Sequence, residues 1–137
     1  MFYEYIMLAM QKDFDTWNEH KKSIHNCGST KPYNERDIWW CSLGVNIGYE
    51  EDGNGVIGER PVLILKGFSE QVCLSIPLST ILKRNPYYIS IGPIDGKEAA
   101  VIISQVRIID TKRLINRVGS LNRKKFNVIR QAIKDYL

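Results

Sequence analysis

The stretch GERPVLIL, residues 58–65, joins a polar loop to a strand and decides how the rest of the chain is interpreted. Arg60 follows a loop, residues 49–59, that is rich in glycine and acidic residues. Pro61 fixes its own backbone and favours an extended conformation in the residue before it. Arg60 is therefore expected at the mouth of a sheet, where a planar guanidinium is suited to a phosphate. The alternative is a surface ion pair with an acid of its own loop, Glu50, Glu51 or Asp52.

Residues after Asp37 alternate with a period of two, which predicts β-strands. Strands are expected at residues 38–43, 61–65, 72–76, 87–91 and 99–104. Residues 106–109 either extend the last of these or begin a new strand, and residues 114–118 are a weaker candidate. The Asp95-Gly96 pair is typical of a hairpin turn. The pattern predicts a mainly β fold, a small antiparallel β-barrel with α additions.

Two helices are expected at the ends of this β region. Residues 13–26 place Phe14, Trp17 and Ile24 at helical spacing, and a polar linker follows at residues 27–35. Asn122 is the expected N-cap of a final helix. Its apolar stripe consists of Phe126, Ile129, Ile133 and Leu137. The chain is accordingly divided into an N-terminal helical extension with its linker, residues 1–35, and a barrel domain, residues 36–137.

Charge is distributed unevenly along the 137 residues. Residues 1–60 hold six Lys and Arg against ten Asp and Glu, whereas residues 61–137 hold thirteen against five. A basic half-chain raises the local concentration of polyanions and is expected of a protein that binds nucleic acid. The alternative is a set of solvated surface charges without a partner.

The N-terminus and the cysteines bear on where the protein works. Residues 1–10 are apolar but include Glu4, lack a basic n-region and are too short to span a bilayer, so neither a signal peptide nor a membrane helix is expected. Cys27, Cys41 and Cys73 have no CxxC spacing, which argues against a disulfide framework and against a zinc site. Three such cysteines fit a reducing compartment, and a cytoplasmic location is predicted.

Common catalytic motifs do not occur in the sequence. It contains no phosphate-binding P-loop, nucleophile elbow or HExxH helix, and neither a metal nor a cofactor is expected. His20 and His25 are five residues apart on a predicted helix, so they should point in different directions. Ser79 and Thr80 follow the third predicted strand. These hydroxyls either form a turn or, if the fold brings them beside Arg60, bind a phosphate oxygen.

Six short motifs occur in one order along the chain. They are DIWWCSL (37–43), GYE (48–50), RPVL (60–63), IPLS (76–79), SQVRIID (104–110) and RVG (117–119). Together they resemble the MazF/PemK family of toxin endoribonucleases over roughly residues 36–137. The resemblance implies an SH3-like barrel, a homodimer and metal-independent cleavage of single-stranded RNA. It also implies inhibition by a cognate antitoxin whose disordered tail occupies the RNA groove.

The resemblance also assigns roles to individual residues. Arg60 matches the catalytic arginine of the family, Ser79 its catalytic hydroxyl residue and Glu50 the acid of the preceding loop. Because neither histidine is placed for the task, Glu50 is the expected proton acceptor. The nucleophile would be the 2′-hydroxyl of the RNA, giving a 2′,3′-cyclic phosphate and a 5′-hydroxyl end. Ser104 departs from the family pattern, in which this position is often acidic.

Contacts to RNA are expected from aromatic and polar residues around these positions. The predicted RNA-binding residues are Trp39, Tyr49, Thr80, Tyr87, Gln105 and Arg107. Aromatic rings can stack on unpaired bases. For the Trp39-Trp40 pair the alternative is core packing, because alternation along a strand points one ring inward and the other outward.

A different class of function is also compatible with the sequence. An SH3-like barrel can hold RNA, DNA or a protein tail without cleaving anything, because such barrels host both activities. Arg60 and Ser79 favour the nuclease, whereas Ser104 in place of an acid favours the non-catalytic binding module.

Overall fold

The computed structural model describes residues 11–55 and 57–137, and these form two helices and seven strands. In chain order they are α1 (Phe14–Cys27), β1 (Asp37–Ser42), β2 (Glu59–Gly67), β3 (Val72–Ser79), β4 (Tyr88–Ile94), β5 (Lys97–Ile102), β6 (Arg107–Asp110), β7 (Leu114–Ser120) and α2 (Arg123–Asp135). The expectations for residues 1–10 lie outside the described residues. No described helix is both long enough and apolar enough to cross a membrane.

The strands form one antiparallel sheet that curls into a half-barrel, in the order β4-β5-β3-β2-β1-β7. Strand β3 lies at its centre, pairing with β2 along one edge. Along its other edge, residues 72–75 pair with β6 and residues 78–79 pair with β5. A 3₁₀ turn, Ile103–Gln105, separates β5 from β6, so residues 106–109 begin a new strand. The mainly β antiparallel fold is confirmed, and its finer description as an SH3-like barrel stays a prediction.

Both faces of the central strands are buried, because the sheet curls around one apolar cluster and carries a second on its other face. Ile38 and Leu63 belong to the first cluster, together with Ile76, Leu78, Val101, Phe126 and Ile129. Their neighbours along the strands belong to the second, which contains Trp39, Cys41, Val62, Ile64, Cys73, Ile109 and Leu114. Two buried faces explain why these strands are nearly continuous apolar runs in the sequence.

Helix α2 covers the first cluster, as its apolar stripe predicts. The Asn122 side chain accepts a hydrogen bond from the Lys125 amide at 2.8 Å, which confirms the predicted N-cap. Phe126 and Ile129 are buried against the sheet. Leu137 was expected to continue the stripe, but the helix ends at Asp135 and Leu137 is fully exposed. The stripe therefore stops one turn earlier than predicted.

Helix α1 confirms the helix predicted over residues 13–26 and adjoins the loop between β1 and β2. Asp13 caps it by accepting a hydrogen bond from the Thr16 amide at 3.0 Å. The Thr16 side chain and then this amide lower the pKa of the Asp13 carboxyl. Trp17 is its buried residue, whereas Phe14 is half exposed. The Arg113 guanidinium lies 5.9 Å from the Trp17 ring centre, which ties the helix to the turn before β7.

Candidate active site

Arg60 is held by three groups at the start of β2. Its Nε donates to the Asp52 carbonyl at 2.5 Å, and its Nη1 donates to the Leu78 carbonyl at 2.9 Å. Its Nη2 lies 2.8 Å from Glu51 Oε1. The side chain is only 14% exposed. A guanidinium has five N–H donors, so these contacts orient the group and still leave donors for a ligand. Arg60 therefore forms the ion pair with a loop acid that was one of its two alternatives. Its remaining donors can still receive a phosphate.

A cleft of about 280 Å³ collects three of the predicted site residues. Arg60, Ser79 and Thr80 all line it, together with Trp40, Asn54, Pro61, Leu78, Ile94, Asp95, Lys97 and Ala99. Lys97 was not predicted. It reaches the cleft because β5 pairs with the end of β3, with Ala100 opposite Ser79. The only sequence signal for Lys97 is the Asp95-Gly96 turn immediately before it. The local sequence does not indicate that β5, the second strand of this hairpin, pairs with β3.

Ser79 forms a turn and lines the cleft at the same time. Its Oγ accepts a hydrogen bond from the Ile81 amide at 3.1 Å and donates to the Ile81 carbonyl at 3.3 Å. The residue is 8% exposed. Because a hydroxyl has one donor and two acceptor positions, the longer donated bond can be redirected toward a phosphate oxygen while the amide contact persists. Ser79 therefore forms a turn, as the first alternative expected, and phosphate binding by its hydroxyl stays a prediction.

The acid on Arg60 is Glu51, not Glu50. Glu50 closes the turn at residues 47–50, where its Oε1 accepts a hydrogen bond from the Ile47 amide at 3.0 Å. That contact directs its side chain toward the loop and solvent. Sequence reasoning singled out Glu50 as the acid of this loop and named Glu51 only as a surface partner. Glu50 and Glu51 are adjacent in an irregular loop, which has no strand periodicity. The sequence pattern therefore does not indicate which of the two contacts Arg60.

A second cleft, also about 280 Å³, lies on the Glu51 side of the ion pair. Glu50, Glu51, Ser104, Gln105 and Arg107 line it, together with Leu43, Asn46, Pro77 and Val106. The Gln105 side chain clasps the loop, because its Oε1 accepts from the Glu51 amide at 3.2 Å and its Nε2 donates to the Tyr49 carbonyl at 3.1 Å. Gln105 therefore positions the acid that contacts Arg60.

Trp39 does not have the exposed position that base stacking requires. It is 6% exposed within the second apolar cluster, and its Nε1 donates to Asp37 Oδ2 at 3.1 Å. The core-packing alternative is the correct one for this residue. Trp40, next along β1, points to the other face and lines the first cleft. The alternation was predictable, but which of the two rings faces inward depends on the register of β1 against β2.

The two predicted tyrosines lie in different places. Tyr49 is 95% exposed in the loop before β2, where its ring is free to meet a base. Tyr87 precedes β4, and its ring centre lies 5.1 Å from that of Tyr136 at the C-terminus. The first cleft touches the opposite end of that strand, at Ile94. Seven residues of strand span roughly 20 Å, so Tyr87 is not brought to the cleft.

Positive charge continues beyond the second cleft. Arg113 donates from Nη1 to the Ser42 carbonyl at 3.0 Å. Burial lowers the pKa of the Arg113 guanidinium, and the nearby charge of Arg107 lowers it further. These two arginines thus lie near enough to repel each other. In residues 11–55 and 57–137, no three His, Cys, Asp or Glu side chains converge to form a metal site.

Comparison with known proteins adds to this geometry. A sequence model described as the PemK-like, MazF-like toxin of type II toxin–antitoxin systems matches residues 34–137. The chain belongs to this MazF/PemK toxin family. The match includes Arg60, Ser79 and both clefts, whereas α1 precedes it. No curated protein sequence matched the chain.

Solved structures of MazF toxins have the same fold. MazF from Deinococcus radiodurans superposes with a TM-score of 0.63 at 15% identity, over 76% of this chain and 94% of that one. A mycobacterial endoribonuclease, solved in complex with its cognate antitoxin, gives 0.56 at 18% identity, over 75% and 92%. The Mycobacterium tuberculosis toxin MazF-mt6 gives 0.57 at 17% identity, over 73% and 94%. At these identities the likeness establishes the fold.

Proposed function

We propose that this toxin is a sequence-selective endoribonuclease that cuts single-stranded RNA without a metal ion, leaving 2′,3′-cyclic phosphate and 5′-hydroxyl ends. The observation that carries the proposal is the convergence of Arg60, Ser79, Thr80 and Lys97 on one cleft. A guanidinium, an ammonium and two hydroxyls around one small space are suited to a phosphodiester, which is an anion with several acceptor oxygens. Family membership adds to this support.

The chemistry needs alignment and charge stabilisation, because RNA carries its own nucleophile. The 2′-oxygen attacks phosphorus while the bond from phosphorus to the 5′-oxygen breaks. Arg60 stabilises the charge that develops on the non-bridging oxygens, and Lys97 adds a second positive charge. Ser79 donates a hydrogen bond to one of these oxygens. Arg60 also stabilises the departing 5′-oxygen, which takes its proton from water.

Glu51 is the proton acceptor of this proposal. Its carboxylate lies 2.8 Å from Arg60 Nη2, so an oxygen near Arg60 is also near a base. Glu50 had this role in the interpretation of the sequence, but its side chain is bonded to the Ile47 amide. Matched amide variants separate the two. Glu51→Gln should reduce kcat by about 10²-fold or more, and Glu50→Gln should reduce it far less. The reverse order would return the role to Glu50.

Nucleotides beside the cut bond are expected to occupy the second cleft. Arg107 offers a positive charge there, and Tyr49 offers an exposed ring for stacking. Trp40 supplies a further ring at the first cleft. Selectivity for a base sequence would then come from the loop at residues 49–59, whose main chain and side chains border both clefts.

An antitoxin and a second copy of the chain are the proposed partners. A segment that is acidic and disordered would be attracted to the basic half of the chain and would fold over the clefts. Pairing into a homodimer would also enlarge the modest core of a 137-residue protein. Light scattering tests the dimer, and competition between RNA and an antitoxin peptide tests whether the two share a groove. A stable monomer that cleaves RNA would contradict a groove shared between protomers.

Cleavage in the presence of a chelator tests the proposed reaction. Purified protein is incubated with a long unstructured RNA in EDTA, and the new ends are mapped and tested for cyclic phosphate. Arg60→Ala serves as the inactive control for contaminating nucleases. Cuts at a defined sequence, absent with the control, support the proposal. RNA that is bound but stays intact would favour the non-catalytic binding module, a reading that the Arg60–Glu51 ion pair also allows.

A further inference from the structure

The loop between β1 and β2 is folded into closely stacked layers of main chain. The Leu43 and Gly44 amides both donate to the Gly58 carbonyl, at 2.9 and 3.0 Å, and the Gly53 amide donates to the Gly44 carbonyl at 2.9 Å. A Cβ on Gly53 would lie 1.6 Å from the Gly58 oxygen, and one on Gly58 would lie 2.3 Å from the Gly44 Cα. Glycine is required at both positions because these segments of loop main chain touch each other directly.

Helix α1 forms the floor of this stack. A Cβ added to Gly44 would lie 2.0 Å from Trp17 Cε2, so the indole ring lies flat against the loop main chain. Trp17 is 7% exposed, and it is covered both by this loop and by Arg113, whose guanidinium lies 5.9 Å from the ring centre. The layers therefore run from Trp17 through Gly44 and Gly58 to Gly53, and they end one residue from Asp52.

Lys12, just before α1, holds the other side of the loop. Its Nζ donates to the Asn46 carbonyl at 2.6 Å and to the Gly48 carbonyl at 2.9 Å, and it lies 3.0 Å from Asp52 Oδ2. Asp52 Oδ1 in turn accepts the Asn46 amide at 2.6 Å. Three contacts occupy the three N–H donors of an ammonium group. Lys12 thus gathers three points of one loop onto a single atom.

Asp52 connects this arrangement to the catalytic arginine. Its carbonyl accepts the Arg60 Nε hydrogen, and the residue before it, Glu51, contacts the same guanidinium. Lys12 therefore contacts the side chain of Asp52, whose own carbonyl and whose neighbour Glu51 are two of the three groups that hold Arg60. Neither Lys12 nor Trp17 lies within residues 34–137, where the family match falls.

We propose that Lys12 and Trp17 are positioning residues that make the segment before the toxin domain part of the active site. They hold the loop so that Glu51 and the Asp52 carbonyl aim Arg60 at the scissile phosphate. This inference rests on the proposed nuclease function. Misplacing a catalytic group by about 1 Å costs up to about 10²-fold in rate, so loosening the loop acts on the chemical step more than on RNA binding.

We call the contacts of Lys12 and Trp17 with the loop between β1 and β2 the brace. Removing the ammonium group of Lys12 tests this brace through kinetics. Lys12→Met keeps the length of the side chain and should lower kcat about 10-fold while KM changes by less than about 3-fold. Lys12→Arg should restore most of the rate, because a guanidinium can reach the same carbonyls and pair with Asp52. The matched control is Lys22→Met on α1. It removes the same charge from an exposed pair with Glu19, and it should leave kcat unchanged.

Amide hydrogen exchange, measured without RNA, tests the brace independently of catalysis. In Lys12→Met the amides of Asn46, Gly53 and Asn54 should exchange at least about 10-fold faster, while those of β2 and β3 keep their protection. Unchanged loop exchange would overturn the proposal, even if kcat falls. Faster exchange with unchanged kcat would overturn it as well. If the wild-type protein does not cleave RNA yet the loop amides respond as described, the nuclease function fails and the structural brace stands.

Discussion

At the scale of single residues, Arg60 shows how one side chain can be both anchored and available. Two carbonyls and a carboxylate hold its guanidinium from three directions, at the edge of the first cleft. Such anchoring limits the rotamers of a long side chain, so less conformational entropy is lost when a phosphate binds. The ion pair with Glu51 is therefore compatible with a catalytic arginine, and it places a base beside it.

Loss of this guanidinium should remove most of the activity. Arg60→Ala is expected to lower kcat by about 10²–10³-fold, because one preorganised charge donor at the reacting phosphate is lost. Ser79→Ala should cost less, since a neutral hydroxyl makes a weaker hydrogen bond than a charged group. Single-turnover cleavage measures both, with circular dichroism as the check on folding. Normal cleavage by Arg60→Ala would mean that this arginine serves only to tie its loop to β3.

The buried thiols make stability depend on alkaline pH. Burial raises the pKa of the Cys73 thiol from 9.0 to about 11 and that of Cys41 to about 12. In the unfolded chain a thiol ionises first, so its contribution to stability is complete below pH 9 and is lost as the pH rises toward the folded value. The urea midpoint should therefore fall between about pH 9 and about pH 11. Cys73→Ala should show a shallower fall, and an equal fall would assign the effect to other groups.

At the scale of elements, the loop between β1 and β2 contains no helix or strand in its described residues, yet parts of its main chain are closely packed. Gly44 and Gly55 both have left-handed backbone, with φ of +75° and +72°. A Cβ on Gly44 would meet Trp17, whereas one on Gly55 would meet nothing within 4 Å. The two glycines therefore share a backbone conformation and differ in the contact with α1.

Alanine at these two positions should have unequal costs. Gly55→Ala pays only for left-handed backbone, about 1 kcal/mol. Gly44→Ala also forces Trp17 away from the loop, which adds about 1–3 kcal/mol typical of overpacking. Urea unfolding of both variants gives the difference in the free energy of unfolding. Equal costs would show that α1 can move away from the loop freely, and would also weaken the proposed brace.

At the scale of the whole molecule, the uneven charge of the sequence is divided among surfaces with different roles. Lys97 lines the first cleft and Arg107 the second. Lys124 and Lys125, at the start of α2, line neither cleft. The basic half of the chain is thus not one uniform patch, and only part of it lies where RNA is proposed to bind.

Salt dependence should separate these surfaces. Log affinity for single-stranded RNA is expected to fall with log salt concentration, by about 0.7 for each phosphate contact. Lys97→Met with Arg107→Met should weaken binding and reduce the slope by about 1.4. Lys124→Met with Lys125→Met removes the same charge and should change both only slightly. Titrations at several salt concentrations measure the slopes, and equal effects would mean that only net charge matters.

What the sequence determined by itself was whatever repeats along the chain or stands in a motif. The two helices, the strand pattern and the Asn122 cap follow from local periodicity and local hydrogen bonds, so they were predictable. The resemblance to the toxin family, together with the position of two hydroxyls after the third strand, singled out Arg60, Ser79 and Thr80. The fold brings these three residues to one cleft. Local rules suffice for the helices, the strands and the cap, because each of these depends on neighbours within a few residues.

Only the tertiary structure decided the partners of these residues. Glu51 rather than Glu50 meets Arg60, Trp40 rather than Trp39 faces the cleft, and Lys12 reaches a loop 34 to 40 residues away. Each outcome depends on a register of one residue or on a contact between distant segments. Neither is visible in periodicity, because a shift of one residue along a strand keeps the composition and reverses the direction of every side chain. An irregular loop has no period at all.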